Sequence, residues 1–207
     1  MKFGLLLYPG VEPIDLATVG VLSMASRVVP QIEYTTVAAN AGAVPMSNGL
    51  RVMADLSFAD APDLDVVIVP GGPGWVRACE DKAMLDYLSH TAKRVRIVSV
   101  CTGAMILAAA GLLDGKSATT KVEIVPPEDP PLDILTSRYG DVETRHALIV
   151  DEGRIVTGGG VTLCIDTILY VIEREFGKHQ ANEVARIMEY RAAREANAAR
   201  LPTFVGA

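Results

Sequence analysis

The sequence of 207 residues contains few cysteines and no long apolar segment. Its three Cys residues, at unrelated spacings, form neither a disulfide framework nor a zinc-binding pattern. The longest apolar helix candidate, residues 161–172, is interrupted by Asp166 and is too short to span a bilayer. The first apolar run is too short for a signal peptide, since Pro9 and Glu12 follow it at once. We therefore expect a cytoplasmic protein with no membrane partner, no metal and no cofactor.

Basic residues are also too few for a nucleic-acid-binding surface. The chain has 19 Lys and Arg residues against 25 Asp and Glu residues, a formal net charge of -6, so we expect no nucleic-acid partner. No linker, internal repeat or change of composition divides the chain, and 50% of its residues are hydrophobic. These properties predict a single domain over residues 1–207 with a sizeable core.

Short apolar runs alternate with segments of helical periodicity. This alternation predicts an α/β fold, with a mostly parallel sheet that helices cover on both faces. The predicted strands are residues 3–8, 32–37, 66–69 and 95–100, and the helices are 16–28, 83–92, 104–110, 162–176 and 180–199. Residues 42–60 and 147–157 are predicted as two hairpins, and the Pro-rich residues 126–131 as a stiff surface loop.

Cys101 lies where a β-branched strand passes directly into an Ala- and Leu-rich helix, within residues 97–115. A side chain on such a turn projects beyond the end of the sheet. The helix N-terminus behind it would favour a thiolate. Cys101 could equally be a small apolar residue of the core.

Two other loops follow strands, and ligands bind at the carboxyl ends of parallel strands. In residues 70–74, Gly71 and Gly72 could offer backbone N–H groups to a developing negative charge, or could form an ordinary turn. The loop after the first strand carries Glu12 and Asp15. Asp15 could serve the chemistry of Cys101 or could cap the following helix.

The run Ser-Val-Cys-Thr-Gly-Ala at residues 99–104 resembles the ThiJ/PfpI superfamily, whose fold is like that of class I glutamine amidotransferases. The resemblance continues through residues 107–115 and 118–120, and spans nearly the whole chain. It implies a flavodoxin-like three-layer sandwich with Cys101 at a nucleophile elbow. Isonitrile hydratases and the amino-terminal domains of certain AraC-type regulators carry the same Cys-Thr-Gly motif.

The resemblance also implies the site. The loop of residues 70–74 would supply oxyanion-hole backbone, and the Ile14-Asp15 pair would place an acid beside Cys101. Burial and like charge would then raise the pKa of that acid. Other branches use a Glu from this loop, so Glu12 competes with Asp15. The residues expected to be catalytic are Cys101, Asp15, Thr102 and Gly72, and those expected to contact substrate are Gly71, Gly103 and Glu12.

The residue after Cys101 distinguishes between reactions. Hydrolytic members pair the Cys with a His, which follows it directly in the protease-like branch, whereas this chain has Thr102. A Cys–His protease or amidase is therefore not expected. The resemblance instead implies an isonitrile hydratase-like enzyme, whose thiolate adds to an electrophilic carbon before hydration to an N-substituted formamide. None of the three His residues, His90, His146 and His179, matches a base position of the hydrolytic pattern.

Two departures from the hydratase pattern lie near the predicted pocket. Asp15 is followed by residues 16–19, Leu-Ala-Thr-Val, instead of x-x-Gly-Pro, and Lys121 replaces a His after the Thr-Thr pair.

The alternative function is a non-enzymatic sensor in which Cys101 is oxidised. Because the regulators carry a further DNA-binding region, we expect that the chain is not such a regulator by itself.

Relatives of this kind are commonly homodimers that act on small molecules. We therefore expect this chain to form a homodimer and to bind a small-molecule substrate. The remaining cysteines, Cys79 and Cys164, are predicted to be packing residues.

Overall fold

The computed structural model describes residues 1–206, so that Ala207, the last residue of the predicted single domain, lies outside the described residues. The chain alternates between strands and helices over most of its length. Within residues 1–206 the strands are β1 (Lys2–Leu6), β2 (Glu33–Ala38), β3 (Gly42–Pro45), β4 (Arg51–Ala54), β5 (Leu56–Ser57), β6 (Val66–Val69), β7 (Arg96–Ser99), β8 (Ser117–Ala118), β9 (Glu143–Thr144), β10 (Ile149–Glu152), β11 (Ile155–Gly158) and β12 (Thr203–Val205).

The described part of the chain forms a central sheet of eight strands in the order β12-β10-β11-β7-β6-β1-β2-β5. The strands from β11 to β5 are parallel to one another, whereas β10 is antiparallel to β11 and β12 is parallel to β10. Strands β3 and β4 form a separate antiparallel hairpin. The mostly parallel sheet expected from the sequence is confirmed.

Two groups of helices cover the sheet. Helix α1 packs against α6 and α7, while α4 packs against α2, α3 and α5. All four residues of β6 are buried, as expected for a strand that helices cover on both faces. Within residues 1–206 the α-helices are α1 (Ala17–Ala25), α2 (Trp75–Ala78), α3 (Lys82–Thr91), α4 (Gly103–Ala109), α5 (Pro131–Arg138), α6 (Cys164–Phe176), α7 (Lys178–Ile187) and α8 (Arg191–Arg200).

The predicted helix over residues 180–199 is wrong, because α7 and α8 are separate helices. The chain turns at Glu189, whose φ is 55°. The Tyr190 hydroxyl then donates a 2.8 Å hydrogen bond to Oδ2 of the buried Asp166 on α6. The predicted loop of residues 126–131 also ends one residue early, since Pro131 is the first residue of α5, a position that suits proline.

In residues 1–206, no helix combines the length and the apolar character needed to cross a membrane. Over the same residues, no group of three or more His, Cys, Asp or Glu side chains is placed to hold a metal ion.

Candidate active site

Cys101 lies on a tight turn between β7 and α4. Its φ is 53°, a value that non-glycine residues adopt at a cost of about 1–3 kcal/mol. The Cys101 N–H donates to the Gly159 carbonyl at 3.2 Å, and the Thr120 hydroxyl donates to the Cys101 carbonyl at 2.9 Å. These bonds hold the turn in its strained conformation. The geometry is that of a tight strand-to-helix turn with a strained residue at its apex.

Cys101 is only 3% exposed, and it lines a cavity of about 480 Å³. Apolar and charged side chains both line the cavity. The residues lining it are Glu12, Gly72, Pro73, Trp75, Val76, Cys101, Thr102, Lys121, Glu128, Asp129, Pro131, Ile134, Arg138 and Val161.

The glycine loop after β6 packs directly against the turn of Cys101. A Cβ at Gly71 would lie 2.4 Å from the Thr102 nitrogen and 2.8 Å from Cys101 Cβ, so only glycine fits there. Gly72 has a φ of 127°, which also requires glycine. Its N–H donates to the Thr102 hydroxyl oxygen at 2.9 Å. The Gly72 N–H is thus already bonded to Thr102. The sequence predicts that this N–H binds a negatively charged adduct, and that would require the bond to Thr102 to break.

Gly71 and Gly103 are not among the residues that line the cavity, and the substrate contacts predicted for them stay predictions. The N–H of Gly71 donates to Asp15, and its carbonyl accepts from the Glu12 N–H. A Cβ at Gly103 would lie 2.2 Å from the Val69 carbonyl oxygen. Both residues are glycine because backbone approaches backbone at these points, which fixes the loops around the Cys101 turn.

Asp15 is completely buried in a short 3-10 helix, Pro13–Leu16, behind the Cys101 turn. Its Oδ2 accepts the Gly71 N–H at 2.7 Å. Its side chain bonds no N–H of α1, so the helix-cap interpretation is wrong. Its other oxygen, Oδ1, is buried without a hydrogen-bond partner within residues 1–206. That oxygen is free to accept a proton.

Burial raises the pKa of Asp15 to about 7 from an ordinary value of 3.8. The Gly71 N–H lowers it, the Glu12 charge raises it, and the Cys101 side chain lowers it. A carboxyl group with a pKa near neutrality can both accept and donate a proton at physiological pH. This is the direction of shift expected from the sequence.

The pKa of the Cys101 thiol shifts in the direction opposite to the sequence-based expectation. Burial and then the Asp15 charge raise it to about 12, against the lowering effects of the Thr102 N–H and Lys121. The desolvation of a nearly buried sulfur outweighs the first turn of α4, a helix of only 7 residues. Burial and the Asp15 charge therefore favour the protonated thiol over a preformed thiolate.

The two acids of the first loop lie in different places. Glu12 is half-buried on the cavity wall, where its Oε2 accepts from the Ser47 hydroxyl at 3.1 Å. Asp15 lies outside the cavity lining, behind Cys101. The geometry thus separates an acid that can contact a ligand from an acid that can act on the sulfur.

Several cavity residues were not singled out as site residues from the sequence. Lys121 Nζ forms an ion pair with Glu128 Oε2 at 2.5 Å, and Arg138 lies over the Trp75 ring at 5.8 Å from its centroid. Lys121 could have been found, because it follows Thr120 at a position where the resemblance implies a His. The others lie in segments whose sequence pattern carries no such signal.

The remaining candidates take the places expected for packing residues. Cys164 is fully buried at the start of α6, which confirms the prediction, and burial raises its pKa strongly. Cys79 is half-buried at the end of α2, and its pKa is raised to about 11, chiefly by burial. The three His residues, all in the described part of the chain, lie outside the cavity lining.

The fold and the site together define a flavodoxin-like α/β protein with a cysteine at the strand-to-helix turn and a buried acid behind it. The chain belongs to the DJ-1/PfpI family, whose sequence model matches residues 1–174. The resemblance to this family seen in the sequence is therefore confirmed.

Individual relatives differ in what they do. The chain is 35% identical over 191 residues to the isonitrile hydratase of Pseudomonas putida, covering 92% of this chain and 78% of the relative. It is 29% identical over 193 residues to the transcriptional regulator GbdR of Pseudomonas aeruginosa, covering 91% of this chain. The chain spans only 50% of the length of that regulator.

A solved structure of a ThiJ/PfpI family protein from Pseudomonas syringae superposes with a TM-score of 0.79 at 26% identity, covering 97% of this chain and 86% of the other. Drosophila melanogaster DJ-1beta superposes with a TM-score of 0.76 at 23% identity, covering 90% of this chain and 96% of the other. The second likeness shows the common fold alone.

Proposed function

We propose that the chain is a cysteine-dependent enzyme that hydrates isonitriles to N-substituted formamides. The observation that carries the proposal is the buried Asp15, with one unpaired carboxyl oxygen, behind a cysteine whose cavity lining contains no histidine. The similarity to the isonitrile hydratase of Pseudomonas putida supports the substrate class. The lack of a histidine at the cavity argues against a Cys–His protease or amidase.

In this mechanism Asp15 is the proton carrier. As the Cys101 sulfur adds to the isonitrile carbon, the S–H proton passes to Asp15 Oδ1 and from there to that carbon, which gives a thioimidate. Water then adds to the thioimidate carbon. Breaking of the C–S bond releases the N-substituted formamide, and the sulfur regains its proton.

Negative charge that develops in these steps is stabilised by a hydrogen-bond donor. The Thr102 N–H faces the sulfur and lowers the pKa of the Cys101 thiol, so it is the first candidate. The Gly72 N–H becomes a second donor if the adduct displaces the Thr102 hydroxyl from it. Thr102 therefore acts through its backbone on the adduct and through its side chain on Gly72.

The test is a turnover assay with a panel of isonitriles, amides and α-dicarbonyls, in which formamide formation is followed by NMR. We expect formamide from at least one isonitrile, and loss of turnover by at least about a thousandfold in Cys101→Ala. Cys79→Ala is the matched control, because it removes a thiol outside the cavity. Full turnover by Cys101→Ala would exclude covalent catalysis. Turnover of another substrate class alone would exclude the hydratase function.

The alternative function is a sensor whose Cys101 is oxidised without turnover. Oxidation by peroxide proceeds through the thiolate, and the raised pKa of Cys101 disfavours that form. We favour the enzyme because the similarity to the isonitrile hydratase of Pseudomonas putida covers 92% of this chain. Mass spectrometry after mild peroxide treatment tests the alternative: stoichiometric oxidation of Cys101 with no turnover of the panel would support the sensor. A cytoplasmic location and a single small-molecule ligand stay predictions.

A further inference from the structure

The side chains of Lys121 and Cys101 both lie next to Gly160. A Cβ at Gly160 would lie 2.8 Å from Cys101 Sγ and 2.9 Å from Lys121 Cβ, so both side chains adjoin the same point of the backbone. Both residues also line the cavity. The Lys121 side chain is only 18% exposed, so solvent screens its charge weakly. The ammonium group is therefore a local charge of the active site.

The Lys121 ammonium is bound to a carboxylate that comes from a different segment. Glu128 lies in the loop between β8 and α5, and its Oε2 contacts Lys121 Nζ at 2.5 Å. Lys121 holds the pKa of Glu128 below its ordinary value, so the carboxylate is ionised at neutral pH. Glu128 is anchored weakly, since its other hydrogen bond, from the Val125 N–H, is 3.5 Å long.

The ammonium thus has two competing partners. One is the Glu128 carboxylate, and the other is the negative charge that Cys101 acquires when it loses its proton. A lysine side chain has four rotatable bonds and can move between such partners. An ion pair with Glu128, whose side chain is the more exposed of the two, competes with the sulfur for the ammonium.

We infer that Lys121 is a positioning residue that stabilises the Cys101 thiolate, and that Glu128 limits this action by holding the Lys121 ammonium in an ion pair. The inference rests on Cys101 being the reactive group of the proposed function. The ion pair then sets how readily the sulfur reacts. A ligand that contacts Glu128 releases Lys121 toward the sulfur.

Other groups also act on the sulfur, and they do not change with Lys121 or Glu128. Burial and the Asp15 charge raise the pKa of Cys101, and the Thr102 N–H lowers it. The titratable and charged groups that face Cys101 or its cavity are Tyr8 after β1, Glu12 and Asp15 on the first loop, Lys121, Glu128 and Asp129 on the loop before α5, Arg138 on α5, and Cys164 on α6.

The experiment measures the alkylation rate of Cys101 by iodoacetamide between pH 6 and pH 10, read by mass spectrometry of the Cys101 peptide. At pH 8 we expect Lys121→Met to slow alkylation about tenfold, which corresponds to a rise of roughly one unit in the pKa of the thiol. We expect Glu128→Gln to accelerate it about threefold, because the ammonium is released. In the Lys121→Met background, Glu128→Gln should have almost no effect.

The double variant separates this inference from a direct repulsion between Glu128 and the sulfur. An equal acceleration by Glu128→Gln in both backgrounds would overturn the inference, as would no acceleration in either. Lys121→Gln serves as a second variant should Lys121→Met not fold. The control pair is Lys82→Met and Asp86→Asn, an exposed ion pair on α3 that lies outside the cavity, which should not alter the rate.

Alkylation needs no isonitrile, so its result does not depend on the turnover assay. If Lys121→Met did not slow the alkylation of Cys101 while the wild type turned over isonitriles, this inference alone would be overturned. Full turnover in Cys101→Ala would overturn the proposed function, whereas the alkylation rates would still report the effect of Lys121 on the sulfur.

Discussion

The backbone N–H of Gly71 donates a 2.7 Å hydrogen bond to Oδ2 of Asp15. This bond joins the loop after β1 to the loop after β6, and it holds the acid behind Cys101. Only one carboxyl oxygen is used, and Oδ1 is left without a partner in the described part of the chain. The position of Asp15 and its capacity for a proton are therefore separate properties, which can be altered separately.

The first prediction concerns which acid assists Cys101. Asp15→Asn keeps an oxygen that can accept the Gly71 N–H, so the fold should be preserved, but the amide cannot carry a proton. We expect turnover of the best isonitrile to fall by about two to four orders of magnitude. Glu12→Gln should lower turnover much less, since Glu12 lies on the cavity wall and not behind the sulfur, where Asp15 lies. The reverse ranking in kcat/KM would assign the proton transfer to Glu12.

The second prediction is a pH dependence of stability. The pKa of Asp15 is about 7 in the folded chain and 3.8 ordinarily, so the folded state holds the proton more tightly. The stability from this proton is fully present below about pH 4 and is lost as the pH rises to about 7. Between pH 5 and pH 8, the free energy of unfolding of the wild type should fall by on the order of 3 kcal/mol more than that of Asp15→Asn. Urea unfolding of both proteins across this range measures the difference, and parallel curves would contradict it.

The third prediction concerns the close approach at Gly71. In Gly71→Ala the new Cβ would lie 2.4 Å from the Thr102 nitrogen, so the backbone of the Cys101 turn must shift. We expect a loss of at least about 1–3 kcal/mol in stability, together with lower turnover. Gly140→Ala is the matched control, because a Cβ there meets nothing within 4 Å, and it should change stability by less than about 0.5 kcal/mol. Equal unfolding midpoints for the two variants would show that the turn is not rigid.

The fourth prediction concerns the Thr102 hydroxyl, which accepts the buried Gly72 N–H at 2.9 Å. Thr102→Val has nearly the same shape but leaves that N–H unpaired, which should cost about 1–3 kcal/mol in stability. Thr102→Ser keeps the hydroxyl and should stay close to the wild type in stability. Chemical denaturation of the two variants is the measurement. If Thr102→Val were as stable as Thr102→Ser, the hydrogen bond would contribute little.

The fifth prediction is a homodimer, as relatives of this family commonly form. Sedimentation at micromolar concentration should show a species of twice the 22.0 kDa chain mass. A single species at the chain mass would refute a stable dimer.

Much of the fold and part of the site follow from local sequence patterns. The alternation of apolar strands with helical segments predicts the parallel sheet, because the spacing of apolar residues reports which faces are buried. The run around Cys101 predicts the strand-to-helix turn, and the order of loops after strands predicts which residues meet at the sheet edge. The placement of the Ile14-Asp15 pair beside Cys101 came from the family resemblance, and the choice between Asp15 and Glu12 stayed open.

Only the tertiary structure decided the properties that depend on distant neighbours. The break between α7 and α8 contains no Gly or Pro to announce it, and it is accompanied by the bond from Tyr190 to Asp166. The pKa of Cys101 rises because its surroundings exclude water, which no local motif encodes. The Gly72 N–H is already bonded to Thr102, 30 residues away in the chain. Solvation and hydrogen bonding are set by the groups that folding brings together, so the sequence determined where the sulfur lies, and the packing around it determined its protonation.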